Sequence, residues 1–206
     1  MTDFIAPDRS AFAADPIGYS NLAWHKWQTA LLFVGAISEP VEAPSMEDLK
    51  SPILWLTQAN ALSVAAKVLV DSSPTWESMP PMVRGVCDCQ YTAVALMLVG
   101  YSLETCLKAM HILRHGVDAF LEREKEYFHH NLVELADFLP EISEKDKAIL
   151  KALTYFVVWA GRYPDPGSSR LSQTEEVFTL AEQHEIAGRD VFSLAARLMT
   201  HVRTLV

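Results

Sequence analysis

Residues 82–115 read MVRGVCDCQYTAVALMLVGYSLETCLKAMHILRH, and the classification of this run settles the fold. Its pattern is helical throughout, and Gly116 follows in a C′ position. The spacing predicts one long helix, roughly 50 Å if unbroken at 1.5 Å per residue. Gly100 marks a kink or a close helix crossing. The strongest apolar run, Tyr91 to Tyr101, is soon interrupted by Glu104 and Lys108. It falls short of the roughly 18 to 20 residues that a bilayer crossing needs.

The same period extends outward on both sides. Upstream, Trp24, Trp27, Leu31 and Val34 predict a helix from about Ser20 to Ile37. SEPVEAPSMED then reads as a loop. Ser51 and Pro52 form an N-cap and first-turn pair, opening a helix whose Trp55, Ala59, Leu62, Ala66 and Leu69 make one stripe. The stretch from Asp71 to Met82, with adjacent prolines at Pro80 and Pro81, breaks the chain before the long helix.

Downstream, helices are expected near Val117–Tyr127 and Asn131–Phe138. Ser143 and Asp146 then cap a helix that runs to Arg162 with Ile149, Leu153, Phe156 and Ala160 on one face. GRYPDPGSS stops it. Ser172 with Glu175 reads as a capping box for the last segment, which Gly188 divides. The seam of that segment is Val191, Ala195, Leu198, Val202 and Leu205. No β-alternation appears. The expected fold is an all-α antiparallel helical bundle with flanking N-terminal and C-terminal helices. It reads as one helical domain over 1–206, with a core at about 80–206 and a flank at about 1–75.

Half of the 206 residues are apolar and 21% are charged, enough for a sizeable core. The net charge is −9, and no run of Lys or Arg exceeds two. Such a field opposes docking to a nucleic acid, whose phosphates demand a basic stripe. The start, MTDFIAPDRS, shows no secretory signal. Cys87, Cys89 and Cys106 are odd in number and lack C-x-x-C spacing, which suits free thiols in a reducing compartment. A cytoplasmic protein with no membrane association is expected.

On the long helix, Glu104, Lys108, His111 and His115 sit at i, i+4, i+7 and i+11, on one face. Alone, they read as a solvated stripe on a core helix. His111 and His115 lack the carboxylate of an H-E-x-x-H pattern, so they read as surface or dimer-face histidines and no metal site is expected. Nucleotide-loop and dinucleotide fingerprints are missing, and no cofactor is implied.

Three segments taken together carry a resemblance. GYSLETCLKAM (Gly100–Met110), HHNLVELADF (His129–Phe138) and WAGRYPDP (Trp159–Pro166) make the chain similar to the HEPN superfamily over about residues 83–166. These are helical-bundle domains associated with nucleotide binding, nucleotidyltransferase pairing and RNA-cleaving toxins. The resemblance implies a homodimer, with a polar cluster of Glu104, Lys108, His130, Asn131, Arg162 and Tyr163 in a groove at the dimer face. It also implies a nucleotide, or a nucleotidyltransferase-like or antitoxin partner protein, as the bound species. Lys108 and Arg162 would hold a phosphate. The competing arrangement is structural: Glu104 neutralised by Arg162, and Asn131 capping its helix.

The RNA-cleaving branch is marked by Arg followed, after four to six intervening residues, by His. Arg123 stands in that relation to His129 and His130, giving an alternative catalytic set. Nine arginines, seven histidines and three allowed spacings produce about one such pair by chance. Glu122, Glu124 and Glu126 around Arg123 also weaken its hold on a phosphate. The leading expectation is therefore a non-catalytic helical domain, with a metal-independent ribonuclease as the alternative.

Overall fold

Short polar side chains start several of the helices. The computed structural model describes residues 6–40 and 42–205, and among these the elements are helices and turns, with no strand. The chain divides into two compact units, Met1–Leu54 and Trp55–Val206.

In the first unit, Asp8 caps α1 (Arg9–Ala14) by accepting from the Ser10 and Ala11 amides, and Asp15 caps α2 (Pro16–Ser20) through Gly18. α3 spans Ala23–Phe33, shorter than the periodicity predicts. Its buried positions are Trp24 and Gln28, and Val34 lies past the helix end with 71% exposure. Gly35, at φ +72°, supplies the left-handed turn that ends it. The expected loop at 38–48 closes with a short helix, α4 (Met46–Leu49), because Ser45 and Asp48 form a capping box.

α5 (Pro52–Asp71) begins at the expected proline, and Ala59 and Ala66 of its stripe are buried. The division between units falls inside this helix, at Leu54–Trp55. A single 3-10 turn, Pro81–Val83, leads into α6 (Arg84–His115), which ends at Gly116 with φ +83°. By length and composition, both Met46–Asp71 and Pro81–His115 reach what a bilayer crossing requires, which Tyr91–Tyr101 alone does not. In the second, 61% of the apolar window is buried inside the fold, as in a core helix; in the first the share is 11%.

After α6 the expected single helix is two, α7 (Val117–Glu122) and α8 (Glu124–Tyr127), broken at Arg123. α9 is reduced to Leu132–Leu135, with Asn131 as its cap. α10 (Glu144–Tyr155) carries the predicted Ser143–Asp146 capping box. It then widens into a π-helical turn, Phe156–Ala160, which adds a residue and moves the buried face to Val157 and Trp159. Phe156 and Ala160, expected on that face, are only partly buried.

α11 spans Leu171–Gln183 and α12 spans Gly188–His201. The expected Ser172–Glu175 box does not form, because a 3-10 turn at Ser168–Arg170 starts the helix earlier and leaves Ser172 inside it. Val191, Ala195, Leu198 and Val202 are buried as the seam predicts.

Contacts give the directions. A Cβ built on Gly161 would lie 2.4 Å from Met97 Cβ, and one on Gly100 would lie 2.5 Å from Val157 Cγ2. α6 and the α10–π segment therefore cross closely and run antiparallel. Gly100 marks a crossing. Lys145 donating to the Glu185 carbonyl, Lys151 pairing with Glu176 and Trp159 bonding Gln173 make α11 antiparallel to α10. Asp146 also pairs with Arg197 of α12. The core inside this frame is built from Leu103, Leu107, Met110, Phe120, Leu132, Ile149, Leu153 and Leu194.

Candidate functional site

A separation of four residues places Glu104 and Lys108 side by side on α6, and the bundle buries both. Lys108 Nζ donates to Glu104 Oε1 at 2.7 Å, and its ammonium lies 5.1 Å from the centre of the Phe128 ring. Glu104 Oε2 is 2.8 Å from His130 Nδ1. A carboxylate oxygen only accepts, so the proton sits on Nδ1. The His130 side chain stays about half exposed, 48%, with its ring edge-on to Tyr101.

The neighbouring residues each have a separate task. The Asn131 amide donates to His129 Nδ1 at 3.1 Å, and Asn131 Oδ1 accepts from the Glu134 amide, capping α9. The proton of His129 is thereby placed on Nε2, which is buried without a hydrogen-bond partner among the described residues and 3.8 Å from Glu134 Oε2. Three consecutive residues thus face a buried carboxylate, their own backbone and a helix start.

On this face of α6, Glu104, Lys108 and His111 are buried and His115, at the end of the helix, is exposed, so the solvated stripe is reduced to its last member. His111 is only 8% exposed, its Nε2–H donating to the Leu135 carbonyl at 3.0 Å. Its ring packs against Tyr127 and Phe138, with centroids 4.4 and 4.5 Å away. It is a core residue, not the surface histidine expected. Burial holds its imidazole below the ordinary value. Nδ1 has no partner among the described residues.

Two cavities open beside this network. One, of about 530 Å³, is lined by His129, His130, Asn131, Lys151, Tyr155 and Arg170, among others. The Arg170 guanidinium has no ion-pair or hydrogen-bond partner among the described residues, whereas Lys151 and the Tyr155 hydroxyl both contact Glu176. The other, of about 490 Å³, brings Arg123 and His129 together with His111, His115, Arg114 and Lys125. Here Arg123 is already engaged: its Nε and Nη2 donate to Glu126 at 2.9 and 2.6 Å. His130 belongs to the first cavity and His129 to both, so the alternative catalytic set does not converge on one cavity.

Arg162 and Tyr163 lie elsewhere, which overturns the expected Glu104–Arg162 pair. The antiparallel packing sets Gly161 against Met97 of α6, about two turns from Glu104, so Arg162 and Tyr163 line a third cavity, about 700 Å³, with Cys89 and Phe178. Arg162 donates to the Val158 carbonyl and sits over the Tyr163 ring. Glu104 is instead neutralised by Lys108.

Lys151, Tyr155 and Arg170 escaped the sequence reading. Lys151 and Tyr155 are four apart on α10 and share a face, a detectable signal; nothing local announces Arg170. Among the described residues no three His, Cys, Asp or Glu side chains are placed to hold a metal ion. Cys106, buried, has its thiol pushed up to about 12 and is not a nucleophile. No family model matches this chain, and no match to it is found among curated proteins or solved structures.

Proposed function

We propose that this chain is a HEPN-like, non-catalytic cytoplasmic protein that forms a homodimer and binds a nucleotide in the cavity beside His130. One observation carries the reading: an unpartnered guanidinium, Arg170, lines the same cavity as a histidine locked by a buried carboxylate. Arg170 offers a planar fork for a phosphate, while Lys151 beside it is already paired with Glu176. His130, fixed through Nδ1, presents Nε2 to a ligand without reorganising. The volume lies within the range of small-molecule sites. A partner protein of the nucleotidyltransferase-like or antitoxin kind is the other occupant the resemblance implies. The test is melting of the protein with AMP, ADP and ATP. A nucleotide bound to the folded state raises the melting temperature, and Arg170→Ala abolishes the rise. No shift with any of the three removes the nucleotide.

A second reading, metal-independent RNA cleavage, draws on the Glu104–His130 pair, since an oriented imidazole serves as an acid or base. The engagement of Arg123 by Glu126 and the net charge of −9 oppose it. Purified protein is expected to leave single-stranded and structured RNA intact. Breakdown that disappears in His130→Ala would reverse the choice.

A further inference from the structure

The cavity at the π turn is separate from the His130 site and has a different chemistry. From its composition we infer that it is a second ligand site, for an organic monocarboxylate with an aromatic or aliphatic body. Arg162 carries the only formal charge among the residues lining its 700 Å³. The wall is otherwise apolar or uncharged, with Trp159, Tyr163 and Phe178 as its large surfaces. Tyr163 and Phe178 are 57% and 70% exposed, and two such rings converging on one concavity form a surface that an apolar body would cover.

The frame around the cavity is rigid. Gly161 lies so close to Met97 that no side chain fits between them, which clamps the end of the π turn onto α6. The Trp159 Nε1–H donates to Gln173 Oε1 at 3.0 Å, fixing the indole. Arg162 stands one residue beyond this clamp. One of its N–H groups goes to the Val158 carbonyl, leaving further donors of a five-donor fork for a carboxylate.

A single guanidinium matches a single negative charge. A phosphate monoester, with nearly twice the charge, would find no second cation here. Aromatic walls of this kind cover the apolar body, and the fork orients the acid.

The experiment is calorimetric titration of the full chain with 4-phenylbutyrate and with its uncharged amide, 4-phenylbutanamide. Saturable one-to-one binding of the acid is expected, with the amide roughly tenfold weaker or more, since a charge-assisted hydrogen bond is lost. Arg162→Met is expected to weaken the acid by roughly ten- to hundredfold and leave the amide unchanged. Arg162 is exposed, so the variant's melting should match the parent. Phe178→Ala is expected to weaken acid and amide alike. No saturable heat, equal affinity for acid and amide, or indifference to Arg162→Met would each overturn the inference. Displacement of 4-phenylbutyrate by AMP would overturn it too, by merging this cavity with the nucleotide site.

Discussion

Glu104 has both carboxylate oxygens in use, and that determines what its removal does. Glu104→Ala strands the Lys108 ammonium in the interior, where breaking one side of a buried pair costs about 3–5 kcal/mol. Replacing both, as Glu104→Leu with Lys108→Met, should recover most of that loss, because no uncompensated charge remains. Denaturant titration of the single and double variants beside the parent checks both statements. His111 adds a dependence on pH. Its ordinary value is 6.5, and burial depresses it in the fold. Below pH 6.5 the unfolded chain therefore binds a proton that the folded chain resists, and stability falls with pH. Its contribution is complete above that value and is lost as pH drops toward the lower folded pKa. His111→Gln should flatten this part of a stability–pH profile while keeping a donor for the Leu135 carbonyl.

Helices were readable where the signal was local. The i, i+4 spacing of Glu104 and Lys108 dictates their pairing once α6 is helical, and the Ser143–Asp146 box is complete within four residues. Ser172 and Glu175 show the same pattern without forming it, since the preceding 3-10 turn shifted the helix start. FVVWA at 156–160 bears no mark of a π turn, and the register that sets Gly161 against Met97, about two turns from Glu104, is a long-range property that keeps Arg162 away from that carboxylate. The approach of His130 to Glu104 spans 26 positions, and only the resemblance brought the two together. At this scale Gly100 is the sensitive point of the α6–α10 crossing. A Cβ there meets the stiff Val157 side chain at 2.5 Å and the Leu153 carbonyl at 3.2 Å. Gly100→Ala should destabilise by about 1–2 kcal/mol despite alanine's better helix propensity, as thermal unfolding would show.

At the scale of the whole molecule, the entry to α6 offers a surface for assembly. Met82, in the 3-10 turn before α6, and Val86, in the first turn of α6, are 94% and 54% exposed, an apolar surface at the opposite end of the helix from its core-forming part. The homodimer proposed above would cover this end of α6, and a stable one requires about 1,200 Å² or more in total. Sedimentation should show a dimer at micromolar concentration and a monomer after Val86→Glu; a parent protein that stays monomeric would remove the dimer.

Asp146 reaches across two scales. One of its oxygens accepts from Ser143 at the start of α10, and the other binds Arg197 on α12. Fraying the first turn of α10 therefore also releases the Arg197 contact of α12, which couples the two segments. Amide hydrogen exchange should find the two segments protected to a common degree, as one cooperative unit. In Asp146→Ala, both segments should exchange faster together, while the amides around Leu103 and Leu107 keep the slow exchange of global unfolding.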